Sequence, residues 1–294
     1  MYDPHTTGRS TLRFLLTDKC NLRCMFCHNE FQGDAGARRS QDWDFALVHE
    51  LLLQAARRGR LRAKFSGGEP TLHWQALLQL VESSHSAGAT DLTLFSNLTL
   101  LGPAKLATLH EAGVTKLHAN LPSFDRSGFA ARTDQTRWDV ETVLANAEAA
   151  RGLGFEVQFN LVVTGPDSST VVSDTVAAEL SLADRHRDSW DALAIVADDW
   201  APDPAAIQQQ IANTLLGLPD AAETREGPKR SYLFTWRGRR LLASRCTQWH
   251  RPAELAAADL YIVPPGVALR DYARGRAYRL RRRSGAAESR SPLR

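Results

Sequence analysis

The sequence predicts an α/β fold: a partial barrel of six parallel strand–helix units, (β/α)6, with a small C-terminal extension. Short runs rich in β-formers recur through the first two thirds of the chain. Each is followed by a longer stretch with helical periodicity, closed by glycine or proline. Repeated strand–helix alternation makes right-handed parallel crossovers, so the strands lie side by side, curl toward a TIM-like barrel and carry helices outside. The composition supplies the third observation. With 294 residues, 43% of them hydrophobic and 23% charged, the chain is ordinary globular protein and long enough to bury a large core.

The six strands are expected at residues 12–17, 63–66, 92–96, 116–121, 156–163 and 192–197. In the first helix, 42–58, Phe45, Val48, Leu52 and Ala55 share a face and Gly59 stands where the chain leaves the helix. The second, 71–87, repeats the pattern with Trp74, Leu77, Leu78 and Val81 before Gly88. Pro103 opens the third at its first turn and Gly113 closes it. Helices at 138–151, 170–184 and 204–216 complete the series. The barrel domain is thus 1–218, and the residues after Leu218 do not supply the two further units of an eightfold barrel. Residues 219–230 read as a linker. A hairpin is expected from 232–236 and 239–243 around Arg237-Gly238, and a strand at 259–263 before Pro264-Pro265-Gly266. The extension, 219–280, is expected to cover the barrel mouth. The last residues, 281–294, are Arg- and Ser-rich without periodicity and read as a disordered basic tail.

The formal charge of +3 is unevenly spread. Residues 270–294 hold nine arginines against Asp271 and Glu288, so the preceding residues sum to −4. The body therefore lacks the basic footprint of a nucleic-acid-binding protein. No basic segment leads into an apolar signal-like run, and no run of 18 apolar residues occurs, so a cytoplasmic protein without membrane association is expected.

Of four cysteines, Cys20, Cys24 and Cys27 lie within eight residues. That excludes a disulfide scaffold and points to metal or redox chemistry in a reducing compartment. The cluster follows the first strand directly, at the end of a parallel sheet where ligands bind. Three thiolates can ligate three corners of an iron–sulfur cube and leave the fourth iron open for substrate or cofactor. Other readings of the same residues stand beside this one. Cys24-x-x-Cys27-His28 spells a c-type haem attachment, which leaves Cys20 unexplained. Cys20, Cys24, Cys27 and His28 could instead form a structural zinc site, or the thiols could simply be buried.

C-x3-C-x2-C after a first strand, with Phe26 before the last cysteine, resembles the signature of the radical S-adenosylmethionine superfamily. Ser66-Gly67-Gly68-Glu69-Pro70, ending the second strand, is similar to that family's GGEP motif. Its chemistry fits: two residues without side chains permit close backbone approach, and a carboxylate accepts hydrogen bonds from a ligand ammonium. Ser96-Asn97 resembles the family's polar end of the third strand. Polar residues His118, Asn120, Gln158 and Asn160 interrupt strands that would be apolar if buried on both faces, which suggests a lined cavity.

The opening stretch from Leu12 to Cys24 resembles the branch containing the GTP cyclase of molybdenum-cofactor biosynthesis, and the likeness runs to about Asp198. It implies one 4Fe-4S cluster on Cys20, Cys24 and Cys27, and S-adenosylmethionine contacts from Phe26, Gly67, Gly68, Glu69, Ser96, Asn97, Asn120 and Asn160. It further implies substrate contacts from Arg13 and Lys64, joined by Gln158 on the fifth strand. The implied chemistry is reductive cleavage of S-adenosylmethionine to a 5′-deoxyadenosyl radical that takes hydrogen from substrate, with an electron donor such as flavodoxin or ferredoxin. Where that cyclase carries three later cysteines for a second cluster, this sequence has only Cys246, so a second cluster and GTP cyclisation are not expected. Cys246 reads as a buried small hydrophobe or a hydrogen-donor thiol in catalysis. His28, His118, Asp125, Asp198 and Asp199 are candidate proton-transfer groups.

The expected substrate is a small anionic molecule such as a nucleotide, nucleoside or sugar derivative, in specialised metabolism. The alternatives are a peptide-modifying enzyme or a glycyl-radical activase and, outside enzymes, a metal-binding structural or redox-sensing module.

Overall fold

A computed structural model of the chain describes residues 9–27, 43–57, 59–164, 169–198, 201–226, 231–245, 260–263, 268–271 and 276–279. Six strands, β1 (Arg9–Leu15), β2 (Arg60–Ser66), β3 (Asp91–Phe95), β4 (Lys116–Asn120), β5 (Glu156–Val163) and β6 (Ala192–Ala197), pair in parallel and in sequence order. Between them run α1 (Phe45–Ala56), α2 (Trp74–Ser86), α3 (Pro103–Glu111), α4 (Arg126–Thr133), α5 (Val140–Gly152) and α6 (Ser169–Arg185), with α7 (Pro204–Leu216) after β6. The expected units are therefore present, and β5, β6 and α7 have the expected bounds.

Helix ends follow capping chemistry. The carboxylates of Asp44, Asp125, Asp139 and Asp203 each accept a backbone N–H at the start of a helix. Gly113, at φ +103, turns the chain out of α3. The helix expected at 71–87 begins instead with a single 3-10 turn, Pro70–His73, because the Glu69 side chain caps Thr71 N–H there. Helix α4 was not expected. Asp125, three residues before Gly128 and four before the buried Phe129, is the N-cap signal that marks it.

The remaining strands correct the reading of the extension. The stretch 219–230, expected as a linker, contains β7 (Ala221–Glu226), which pairs with the hairpin β8 (Tyr232–Trp236) and β9 (Arg239–Arg245). Strand β9 then lies parallel to β6. On the opposite edge β10 (Leu260–Val263) lies parallel to β1 and is followed by antiparallel β11 (Ala268–Asp271) and β12 (Arg276–Arg279). The described sheet thus has twelve strands in the order β12-β11-β10-β1-β2-β3-β4-β5-β6-β9-β8-β7, and it is open. Eight adjacent strands are parallel, two more than expected, although the outer two come from the extension and not from strand–helix units. The joining stretch 246–259, the tail 281–294, and the candidates Cys246, His28 and Asp199 lie outside the described residues.

One face of the sheet packs against helices. Phe14 stacks on Phe65 at 5.6 Å, with Trp43 edge-on to Phe14 at 6.1 Å, and Leu12, Ala63, Leu94, Leu117 and Val157 extend this core. Because side chains alternate along strands, the residues between these point to the other face. That face carries Arg13, Lys64, Thr93, Phe95, His118, Asn120, Gln158 and Asn160. No helix among the described residues is long and apolar enough to cross a membrane.

Candidate functional site

The cysteine loop leaves the end of β1 and is clamped from two sides. Leu16 N–H donates to Ser66 O at 2.9 Å, Gly68 N–H to Thr17 O at 2.6 Å, and Glu69 N–H to Lys19 O at 2.8 Å. This ladder brings two backbones into contact. A Cβ on Gly67, which has φ +127, would stand 2.4 Å from Thr17 O, and one on Gly68 would stand 2.1 Å from Lys19 O. The close approach that the two glycines permit is thus, in the first place, to the chain itself. From the other side, Arg23 N–H donates to Thr133 O and Met25 N–H to Arg132 O, each at 3.0 Å, so the unanticipated helix α4 holds the middle of the loop with its C-terminal carbonyls.

Glu69 is completely buried and joins the ends of β2 and β3. Its Oε1 accepts from Thr71 N–H at 3.1 Å, Thr71 Oγ1 at 2.5 Å and Ser96 Oγ at 2.9 Å, and its Oε2 from Asn97 N–H at 2.8 Å. Burial pushes its carboxyl above the usual carboxylate range, against the downward pull of these donors. Asn97 and Ser96, expected at the cofactor, stand beside the cysteine loop. Asn97 Nδ2 lies 3.7 Å from Cys20 Sγ and donates to Asn21 Oδ1 at 2.8 Å.

Cys20 and Cys27 are exposed and Cys24 is half-buried. Burial, then repulsion from Cys27 and Cys20, pushes the Cys24 thiol up to about 12, and burial raises Cys20. The Cys24 thiol thus lies within electrostatic reach of the sulfurs on both sides of it in the loop. Among the described residues no three donors converge on a single-ion site. A cube asks for something else, one thiolate at each of three irons, and a chain-linked set of three soft sulfur donors suits it. Phe26 is buried between two of these cysteines in sequence, 4% exposed.

Below the loop, the inner face presents the other expected residues. Arg13 and Lys64 are direct register partners on β1 and β2. The Arg13 guanidinium lies 4.4 Å from the Phe95 ring centroid, and Phe95 meets His118 edge-on at 5.0 Å. His118 is in register with Gln158, and Asn120 with Asn160. Gln158 Nε2 donates to Asn160 Oδ1 at 3.0 Å, and Asn160 Nδ2 to Asn120 Oδ1 at 3.4 Å. A layer nearer the strand starts is charge-paired: against partial burial, Lys116 at 3.2 Å and Arg62 at 3.5 Å hold Asp91 below the usual carboxylate range.

Burial, then the cations of Lys64, Arg13 and Lys116, pull the His118 pKa down to about 3. The unfolded chain protonates this imidazole near pH 6.5 while the folded chain does not. Its contribution to stability is therefore present above about pH 6.5 and is lost as the pH falls toward 3, by up to about 1.4 kcal/mol per pH unit. Denaturant unfolding of His118→Gln across this window is expected to show that one-proton slope removed. An unchanged slope would contradict a neutral His118.

Asp125 is spent on capping α4, accepting from Gly128 N–H and Ser127 Oγ. Asp198, a second candidate, is buried at the end of β6. Sequence reasoning missed Asn21, Thr99 and the carbonyls of Arg132 and Thr133. Polar pairing over 76 or more residues, and backbone acceptors, leave no periodic signal.

The radical SAM superfamily model matches residues 14–169, just over half of the chain. The chain belongs to this superfamily. Enzymes of this family bind a 4Fe-4S cluster and S-adenosylmethionine. Relatives include a probable GTP 3′,8-cyclase of Methanocella arvoryzae, 33% identical over 165 residues (55% of this chain, 50% of the relative). A GTP 3′,8-cyclase of Ectopseudomonas mendocina is 30% identical over 177 residues (60% and 52%). The chain spans about half the length of the curated relatives it matches. Among solved structures, Streptococcus suis SuiB bound to S-adenosylmethionine aligns with a TM-score of 0.59 at 11% identity, over 96% of this chain and 60% of that one. Native anSMEcpe with bound AdoMet aligns at 0.55 and 15% identity, over 71% and 59%. At these identities the likeness carries the fold: an open, mostly parallel version of the radical SAM barrel.

Proposed function

We propose that this radical SAM enzyme acts on a small anionic substrate, a nucleotide, nucleoside or sugar derivative, in specialised metabolism, with a single cluster and a one-electron donor of the flavodoxin or ferredoxin type. When bound and reduced, the cluster and S-adenosylmethionine supply a 5′-deoxyadenosyl radical able to abstract hydrogen from an unactivated carbon. In this reading Cys20, Cys24 and Cys27 would each hold one iron of the cluster. The backbone of Gly67 and Gly68 would seat the methionyl group, and Glu69, whose Oε2 has one internal donor, would accept from its ammonium. Phe26, Ser96, Asn97, Asn120 and Asn160 border the nucleoside. Arg13, Lys64 and Gln158 orient the substrate, and Cys246 is a candidate hydrogen donor.

The observation that carries the substrate class is the register pair Arg13 and Lys64, two cations side by side on an interior wall below the cysteine loop. Arg13 is buried and Lys64 half-buried, and two cations on one wall favour a phosphate or carboxylate, which a guanidinium binds in bidentate fashion. The GTP 3′,8-cyclases among the relatives act on a nucleotide by name, and this supports the same class here.

The test is anaerobic incubation with S-adenosylmethionine and a panel of deuterated nucleotides, nucleosides and sugar phosphates, reading deuterium in 5′-deoxyadenosine. For the substrate so found, Arg13→Gln and Lys64→Gln are each expected to raise KM about tenfold or more, the loss of one charge-assisted contact. Substrate-free cleavage of S-adenosylmethionine should persist. Deuterium transfer only from peptides, or unchanged KM in both variants, would overturn the substrate class.

A further inference from the structure

We propose that Asn97 sets the reduction potential of the iron–sulfur cluster, acting as a positioning residue through the sulfur of Cys20. This rests on the assignment of Cys20 as a cluster ligand and is independent of the substrate proposed above.

Two N–H groups face the Cys20 sulfur: the backbone N–H of Leu22 at 3.4 Å and the Asn97 side-chain amide at 3.7 Å. The orientation of that amide is fixed. Thr99 N–H, which can only donate, donates to Asn97 Oδ1 at 3.0 Å, and Thr99 Oγ1 donates to the same oxygen at 2.6 Å. The nitrogen end must therefore face the loop, where it meets both Cys20 Sγ and Asn21 Oδ1. Asn21 Nδ2 closes the ring by donating to Thr99 Oγ1 at 2.8 Å. Each member of this Asn21–Asn97–Thr99 ring has one donor committed to the next, so none can turn without breaking two bonds.

The backbone beneath the ring is held in an unusual conformation. Leu98, completely buried, has φ 61, a left-handed geometry that a leucine adopts only when its surroundings impose it. Three bonds do so: Leu98 N–H to Ser96 Oγ at 3.1 Å, Asn146 Nδ2 to Leu98 O at 2.8 Å, and Asn97 N–H to Glu69 Oε2 at 2.8 Å. The strained turn presents Asn97 and Thr99 toward the cysteine loop while Leu98 stays in the core.

One-electron reduction adds negative charge to a cluster, and part of it spreads onto the ligating sulfurs. N–H donors to those sulfurs stabilise the reduced state more than the oxidised one and so raise the potential. Among the described residues Asn97 is the side chain that donates to a cluster thiol. Its removal should make the cluster harder to reduce.

The experiment is an EPR-monitored redox titration with dithionite, without S-adenosylmethionine or substrate, on reconstituted wild type, Asn97→Ala and Asn97→Asp. The aspartate keeps an acceptor for both Thr99 bonds but has no N–H to give. The expected result is a lower midpoint potential in both variants at wild-type iron content. Unchanged potentials in loaded variants would overturn the proposal. So would failure of both variants to take up iron, which would make Asn97 a structural tie of the loop. Failure of the substrate panel would leave this measurement untouched.

Discussion

Cys24→Ala protein, reconstituted anaerobically with iron and sulfide, is expected to hold no 4Fe-4S cluster and to form no 5′-deoxyadenosine. Wild type should hold about four irons per chain, one cube. The effect is all-or-none because Cys24 is the middle and most buried of the three thiols, and two remaining thiols leave a second iron without a protein ligand. The same environment predicts how loading depends on pH. Burial and neighbouring sulfurs push the Cys24 thiol up to about 12, so at neutral pH this thiol is protonated and its ligation of iron must release a proton. A Cys24→Ala protein that still cleaves S-adenosylmethionine under reducing conditions would sink the site assignment. About eight irons per wild-type chain would sink the single-cluster reading.

Gly68→Ala is the second large effect. The added Cβ would stand 2.1 Å from Lys19 O and 2.6 Å from Lys19 C, both backbone atoms that no rotamer change can move. The ladder between residues 67–69 and 17–19 must open, which is expected to cost at least about 2 kcal/mol. In a chain of 294 residues that lowers Tm by about 3 °C or more. Cluster loading should fall as well, because Lys19 is joined directly to Cys20. Gly152→Ala, whose Cβ meets nothing within 4 Å, is the control and should leave Tm unchanged or raise it slightly. Equal Tm and equal loading for Gly68→Ala and Gly152→Ala would show that the close approach is not needed.

Much of the barrel was legible because its signals are local. Strand β5 alternates buried and half-buried residues along its whole length, and α7 begins at the proline and ends at the glycine that mark it in the sequence. The edges of the sheet were less legible. A hairpin at 232–236 and 239–243 is evident from residue pattern, but its docking of β9 beside β6, and of β10 beside β1, depends on which sheet edges are left open. Helix α4 was missed although Asp125 caps it, because the polar end of β4 masks the helical signal just beyond.

At the candidate site, the sequence by itself determined which residues stand where along the chain: three thiols at fixed spacing after a strand, a Gly-Gly-Glu turn after the next, and cations on neighbouring strands. Covalent spacing is enough for that, since it fixes what can reach one point. The tertiary structure decided what each residue is bonded to. It gave the glycines to backbone contact with residues 17–19, buried the Glu69 carboxylate among four internal donors, and turned the Asn97 amide toward the Cys20 sulfur. These are contacts between segments tens of residues apart, and strand register, which no local pattern encodes, brings them together.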